Sequence, residues 1–266
     1  MEEHSALLRL VRAVSVLDEV DVAPAETGVH ATRLPGAPVV PWSTVAGALG
    51  TDDPLDRAPR LRLAVVLVLH RVVCELGPAA AAMVLREHAR PLALPAGHPL
   101  HPGPGWVREE IPGDVLDLGT GVVGLAGSPD ILPLPPVVAA AAGYQDVDDW
   151  PRVRALGAEW SDVALARIFR PADPALLLTG AGGVDALTVL ALPATRERLT
   201  GPVAVPARDT AWLGLGRRAF DESYLRSVWI LTAAARRGVG EPLTVGPDGV
   251  ARLRRAQRSG SSPIGS

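Results

Sequence analysis

His98 and His101 stand three positions apart, with His88 upstream and Glu109-Glu110 downstream. The stretch around them, Pro91 to Pro112, holds six prolines, too many for a regular helix. Neutral imidazoles with a carboxylate make a shell for zinc or iron, so a metal site at His98 and His101 is one expectation. The helical zinc pattern, two histidines at four-residue spacing with a glutamate between them, is missing. The alternative is a pair of structural histidines hydrogen-bonded to backbone in a proline-stiffened loop. His98, His101 and Glu110 are also the candidate acid–base groups of an enzyme reading.

The second candidate is Val115-Leu-Asp-Leu-Gly-Thr-Gly121. It resembles the opening motif of class I S-adenosylmethionine-dependent methyltransferases, in which an apolar strand ends in an acid and a glycine turn admits the cofactor. That resemblance covers about a dozen residues and implies cofactor contacts from Asp117, Gly119 and Gly121. The chain departs from the pattern at Val123, which takes the third glycine's place. Prolines replace the helix that should follow, and no ribose-binding acid lies about 20 residues on. The plainer expectation is a glycine-containing β-hairpin in a mixed sheet.

A third glycine run, Leu178-Thr-Gly-Ala-Gly-Gly-Val184, joins an expected strand at Ala175–Leu178 to a helix. Helix N-terminal amides can hold an anion, but Asp185 would already place a negative charge there. Without a lysine it is no P-loop. A tight strand-to-helix turn is the alternative. Cys74 and His70 fall on an apolar helical stretch and read as core residues. The six tryptophans read as core anchors in a chain with few other large side chains. Asp209-Thr-Ala-Trp212 could line a cleft. No Gly-x-Ser-x-Gly elbow supports serine hydrolysis.

Composition narrows the partners. All 26 cationic side chains are arginine, and lysine and asparagine are absent. The bias toward Ala, Arg, Gly, Pro and Val is that of a GC-rich genome, so arginine abundance alone does not announce phosphate binding. A net charge of −3 and a pI near 6.1 give no footprint for nucleic acid or an anionic membrane. One cysteine cannot form an internal disulfide and suits a reducing compartment. The start lacks a basic segment ahead of its apolar residues, unlike a signal peptide, and Leu63–Leu69 is too short to span a bilayer. A soluble, cytoplasmic protein is expected.

The elements that must position these residues follow from periodicity. Helices are expected over Ser5–Leu17, from Ser43 as cap to Leu49, over Pro54–Leu76, Ala79–Glu87, Pro135–Ala142, Asp146–Phe169, Val184–Leu192 and Asp221–Arg236. Pro151 is expected in the first turn of its helix. Two or three short strands separated by glycines should fill Asp114–Leu134. Pro202–Val205 reads as a strand, and a hairpin should turn at Pro247-Asp-Gly249. This order predicts an α+β fold, an N-terminal helical part packed on a small mixed sheet with long C-terminal helices. A single globular domain over 1–258 is expected, helical to about residue 90 and mixed from about 106 to 256. A flexible tail over 259–266 would follow.

Leu34-Pro-Gly36, Val40-Pro-Trp42, Gly97-His-Pro-Leu-His-Pro102, Gly105-Trp-Val-Arg108 and Asp117-Leu-Gly119 together resemble a group of actinobacterial proteins described only as hypothetical. The likeness implies a bacterial, cytosolic protein and no particular activity. With no complete catalytic constellation, the leading expectation is a non-catalytic binding or regulatory protein. It would engage another protein through the Pro/His loop or the C-terminal segment.

Overall fold

The computed structural model describes residues 2–32, 34, 36–125, 130–168, 185–213 and 222–253, and its class is the expected α+β. The N-terminal part is helical: α1 (Glu2–Leu17), α2 (Trp42–Leu49), α3 (Arg57–Leu76) and α4 (Pro78–His88), with β1 (Ala23–Pro24), β2 (Gly28–His30) and β3 (Val40–Pro41) as a small sheet beside them. In α3 the apolar stripe is wide enough to bury Leu63, Val65, Val66, Leu67, Leu69 and Val73, as its all-round hydrophobicity requires. Ser43 does not cap α2. Pro41 holds the cap position and Ser43 lies inside the helix.

The expected small mixed sheet resolves into three sheets, each antiparallel. The middle one runs β4 (Ala89–Pro95), β6 (Leu116–Val122), β5 (Val107–Glu110), with β7 (Leu132–Pro133) also on β6. The proline-rich stretch therefore begins as a strand and turns irregular only after Pro95. The last sheet has the order β11 (Gly249–Arg252), β10 (Arg237–Gly246), β8 (Gly201–Ala207), β9 (Thr210–Leu213). Its β10–β11 hairpin turns at Pro247-Asp-Gly249 as predicted.

Helix α5 (Pro136–Ala142) packs on α3 and α4, whereas α6 (Asp146–Ile168), α7 (Ala186–Ala191) and α8 (Pro193–Arg198) lie against the last two sheets; α9 (Glu222–Leu231) packs on β10 and β8. Because α6 starts at Asp146, Pro151 sits inside the helix, past its first turn. Helix α9 stops at Leu231, short of the expected Arg236. The Arg237 guanidinium donates to the carbonyls of Thr232 (3.0 Å) and Ile230 (2.9 Å), satisfying the helix end that the next turn would otherwise have continued. The expected strand at 175–178, the glycine turn at 179–183 and the tail at 259–266 lie outside the described residues.

Two hydrophobic clusters share the middle sheet. Leu92, Leu94 and Trp106 belong to the cluster built by α1–α5, whereas Ala93, Leu116 and Leu118 belong to the one built by α7 and β8–β11. The alternation of β4 puts successive side chains on opposite faces, so one strand serves both. Each fully buried leucine there stabilises by roughly 1.5–3 kcal/mol.

Candidate functional site

Asp117, Gly119 and Gly121 do not form a strand-to-helix turn. All three lie within β6, which pairs with β4 on one side and β5 on the other. The glycines are explained by what crosses them. A Cβ at Gly119 would stand 2.5 Å from Trp106 Cε2, and one at Gly121 would stand 2.8 Å from Ile131 Cγ1. Trp106 is fully buried and its indole N–H donates to the Thr120 carbonyl at 2.7 Å. The glycine spacing therefore makes room for an indole and an isoleucine, and these residues do not fit an adenosyl cofactor. The hairpin expected as the alternative is the β5–β6 pair.

The histidines are fixed by obligatory backbone donors. His98 Nδ1 accepts the Leu100 N–H at 3.1 Å, so its proton sits on Nε2 and is donated to the Arg237 carbonyl at 3.1 Å. His101 Nδ1 accepts the Gly103 N–H at 3.0 Å, so Nε2–H donates to Asp117 Oδ2 at 3.1 Å. Every ring nitrogen of both residues is engaged, which does not fit a metal shell. Among the described residues no group of three or more His, Cys, Asp or Glu is placed to hold an ion. Glu110 is exposed and stands opposite Asp117 in the strand register. The structure thus joins His101 to Asp117, an association absent from the sequence reading.

Burial, with the nearby Arg208 guanidinium, pushes the His98 imidazole down to about 3. Burial also lowers His101, against the opposing pull of Asp117. Both rings are neutral at ordinary pH. On α3, burial lowers His70 and raises the Cys74 thiol, whose Sγ lies 3.4 Å from His70 Nδ1. A raised thiol pKa is the reverse of what a nucleophile needs.

Asp185 is the N-cap of α7: its Oδ1 accepts the Thr188 N–H at 2.8 Å. Its Oδ2 accepts from Arg208 Nε at 2.8 Å, with both side chains buried. Arg208 also donates to the carbonyls of Ile131 (3.0 Å) and Ala235 (3.3 Å). Thr188 Oγ1 accepts the Ala93 N–H of β4 at 2.8 Å. The helix N-terminus is thus already occupied by the protein's own carboxylate. Asp209 pairs with Arg236 at 2.6 Å and Trp212 stacks on Tyr224, centroids 5.5 Å apart, so these residues join neighbouring elements.

A cleft of about 460 Å³ opens between α9, the first half of β10 and the Pro95–Pro99 loop. That size is in the range of ligand clefts, roughly 300–1,000 Å³. A bulge shapes its floor: five positions of β10, Val239 to Leu243, face three of β8, Val205 to Val203. Gly240 lets the Trp229 ring lie on the bulged strand, since a Cβ there would be 3.0 Å from Trp229 Cδ2. The Trp229 indole N–H donates to the Gly238 carbonyl at 3.2 Å, and Arg237 lies 4.7 Å over the ring. The charged residues of the lining are Arg226, Arg237, Arg252 and Glu241. Arg252 reaches Glu241 at 3.4 Å with both side chains exposed, a pair of little energetic weight. Arg226 is exposed and makes no hydrogen bond or ion pair among the described residues. The cleft is therefore positive in a chain whose net charge is negative. The sequence reading missed it because Arg226, Arg237 and Arg252 come from three elements and share no motif.

No helix among the described residues is long and apolar enough to cross a membrane. Comparison with protein-family models, curated proteins and solved structures finds no match to this chain.

Proposed function

We propose that this is a non-catalytic binding protein whose cleft between α9 and β10 takes a negatively charged partner. The observation that carries this reading is the cleft's charge: three arginines against one glutamate, around an indole, on an open concave surface. It is supported by the fate of the other candidates. Every ring nitrogen of His98 and His101 is engaged in an internal hydrogen bond, and Asp117 accepts one of them, so the imidazoles best suited to acid–base work hold the fold instead. An anion at the cleft gains from charge-assisted hydrogen bonds to Arg226 and Arg252 and from the field of Arg237.

The test is a titration of ¹⁵N-labelled protein with hexaglutamate, followed by amide and indole N–H shifts. The amides of Gly238, Gly240 and Glu241 and the Trp229 indole should move. The shifts should shrink with added salt and largely vanish in Arg226→Glu/Arg252→Glu. Shifts elsewhere on the molecule, or shifts indifferent to that double substitution, would remove the proposal.

A further inference from the structure

The cleft's floor is a strand edge, and that names a class of partner. In β10 the ladder to β11 covers only Leu243–Gly246, and the last bond beyond it is Leu253 N–H to the Pro242 carbonyl. Among the described residues, no strand pairs with Arg237–Glu241 on the side away from β8. This five-residue stretch is the one that lines the cleft. Resting on the binding role proposed above, we infer that the occupant is an extended acidic peptide that joins this edge as an added strand.

Three observations support that choice over a small anion. His98 and Trp229 already engage the Arg237 and Gly238 carbonyls, but from Val239 to Glu241 the backbone of the floor offers hydrogen-bonding groups at strand spacing, about 3.3 Å per residue, and a peptide in extended form repeats its own groups at the same interval. The arginines come from different elements, Arg226 from α9 and Arg252 from the end of β11. They are therefore placed to meet acidic side chains spaced along a strand rather than to converge on one group. The bulge with Pro242 ends the added pairing where β11 begins, which sets the length of peptide that fits. Charge also decides against the chain's own C-terminal segment as occupant, because that segment carries Arg254, Arg255 and Arg258 and no acid.

The test uses the full chain and a fluorescein-labelled (Glu-Val)₄ peptide, read by anisotropy. Two further peptides carry N-methyl groups on alternate residues, one set on the odd positions and one on the even. Strand addition predicts that the unmodified peptide binds and that one methylated register loses binding at least tenfold while the other keeps it. Arg226→Glu should weaken the unmodified peptide by about tenfold, the effect of one charge-assisted contact. On binding, amide hydrogen exchange should slow at Gly238–Glu241. If both methylated peptides bind like the unmodified one, the strand is overturned while the anionic cleft stands. If no peptide binds and hexaglutamate shifts nothing, the binding role itself fails. If exchange at residues 254–266 accelerates when peptide is added, the chain's own terminus holds the edge and the proposal is wrong.

Discussion

His98 shows how a residue that looks reactive becomes a fixture. Its two nitrogens bridge the backbone of its own loop and the carbonyl of Arg237, 139 positions away. Its folded pKa, about 3, lies below the ordinary value near 6.5. Between those two values the unfolded chain binds a proton that the folded chain does not. Stability contributed by the neutral ring is therefore complete above pH 6.5 and lost as pH falls toward 3, at up to about 1.4 kcal/mol per pH unit. Urea unfolding of the wild type and of His98→Gln, measured from pH 7.5 to 5, should show a shallower acid slope in the variant. Equal slopes would mean that His98 titrates alike folded and unfolded. The sequence could place this histidine in a stiff loop, but its deciding partner is remote, so structural and metal-binding roles looked alike.

At the scale of elements, the clearest case is β6. Its glycines match the start of a cofactor turn when only neighbours in the chain are considered. What decides their role lies across the strand: Trp106 over Gly119 and Ile131 over Gly121. Gly119→Ala should destabilise by about 1–3 kcal/mol or more, the cost of overpacking a close contact, read as a lower urea midpoint with unchanged m-value. Gly119→Ala should cost less in a Trp106→Leu background than in the wild type, since the smaller side chain frees the space; an unchanged cost would show that the Trp106 backbone carbonyl and not the indole is the obstacle. Helices were more legible than strands. Their 3.6-residue pattern is internal, as in α3 and α6, whereas β4 hides behind Pro91 and Pro95 and reads as loop. The end of α9 was illegible because the Arg237 side chain that closes it belongs to the next strand.

At the scale of the molecule, two hydrophobic clusters meet across the middle sheet, and Arg208 fastens them. It reaches Asp185 at the head of α7, the carbonyl of Ile131 in the first cluster and the carbonyl of Ala235. Arg208→Met leaves the Asp185 carboxylate buried without its cation, and should cost about 3–5 kcal/mol in unfolding free energy. Asp185→Asn added to Arg208→Met should return part of it, because the uncompensated charge is gone while an N-cap acceptor remains. A loss below 1 kcal/mol in Arg208→Met would show that the pair is dispensable. The α+β class was readable from the order of elements, but this union of α7 with the β8–β9 hairpin was not, since Asp185 and Arg208 carry no shared motif. The positive cleft was likewise hidden by a composition in which every cation is arginine.

The makeup of β4 has one more consequence. As the outermost strand of its sheet it would ordinarily present amides to any other extended chain, an invitation to aggregate. The Ala93 N–H points away from β6, toward Thr188. Strand alternation then makes Ala89, Pro91 and Pro95 the other outward-facing positions, and proline has no N–H to give. Two of the four outward sites have no donor, and the Ala93 donor is answered from within. An edge with so few free donors makes a poor template for a second chain, so self-association through β4 is disfavoured by the placing of two prolines and one threonine.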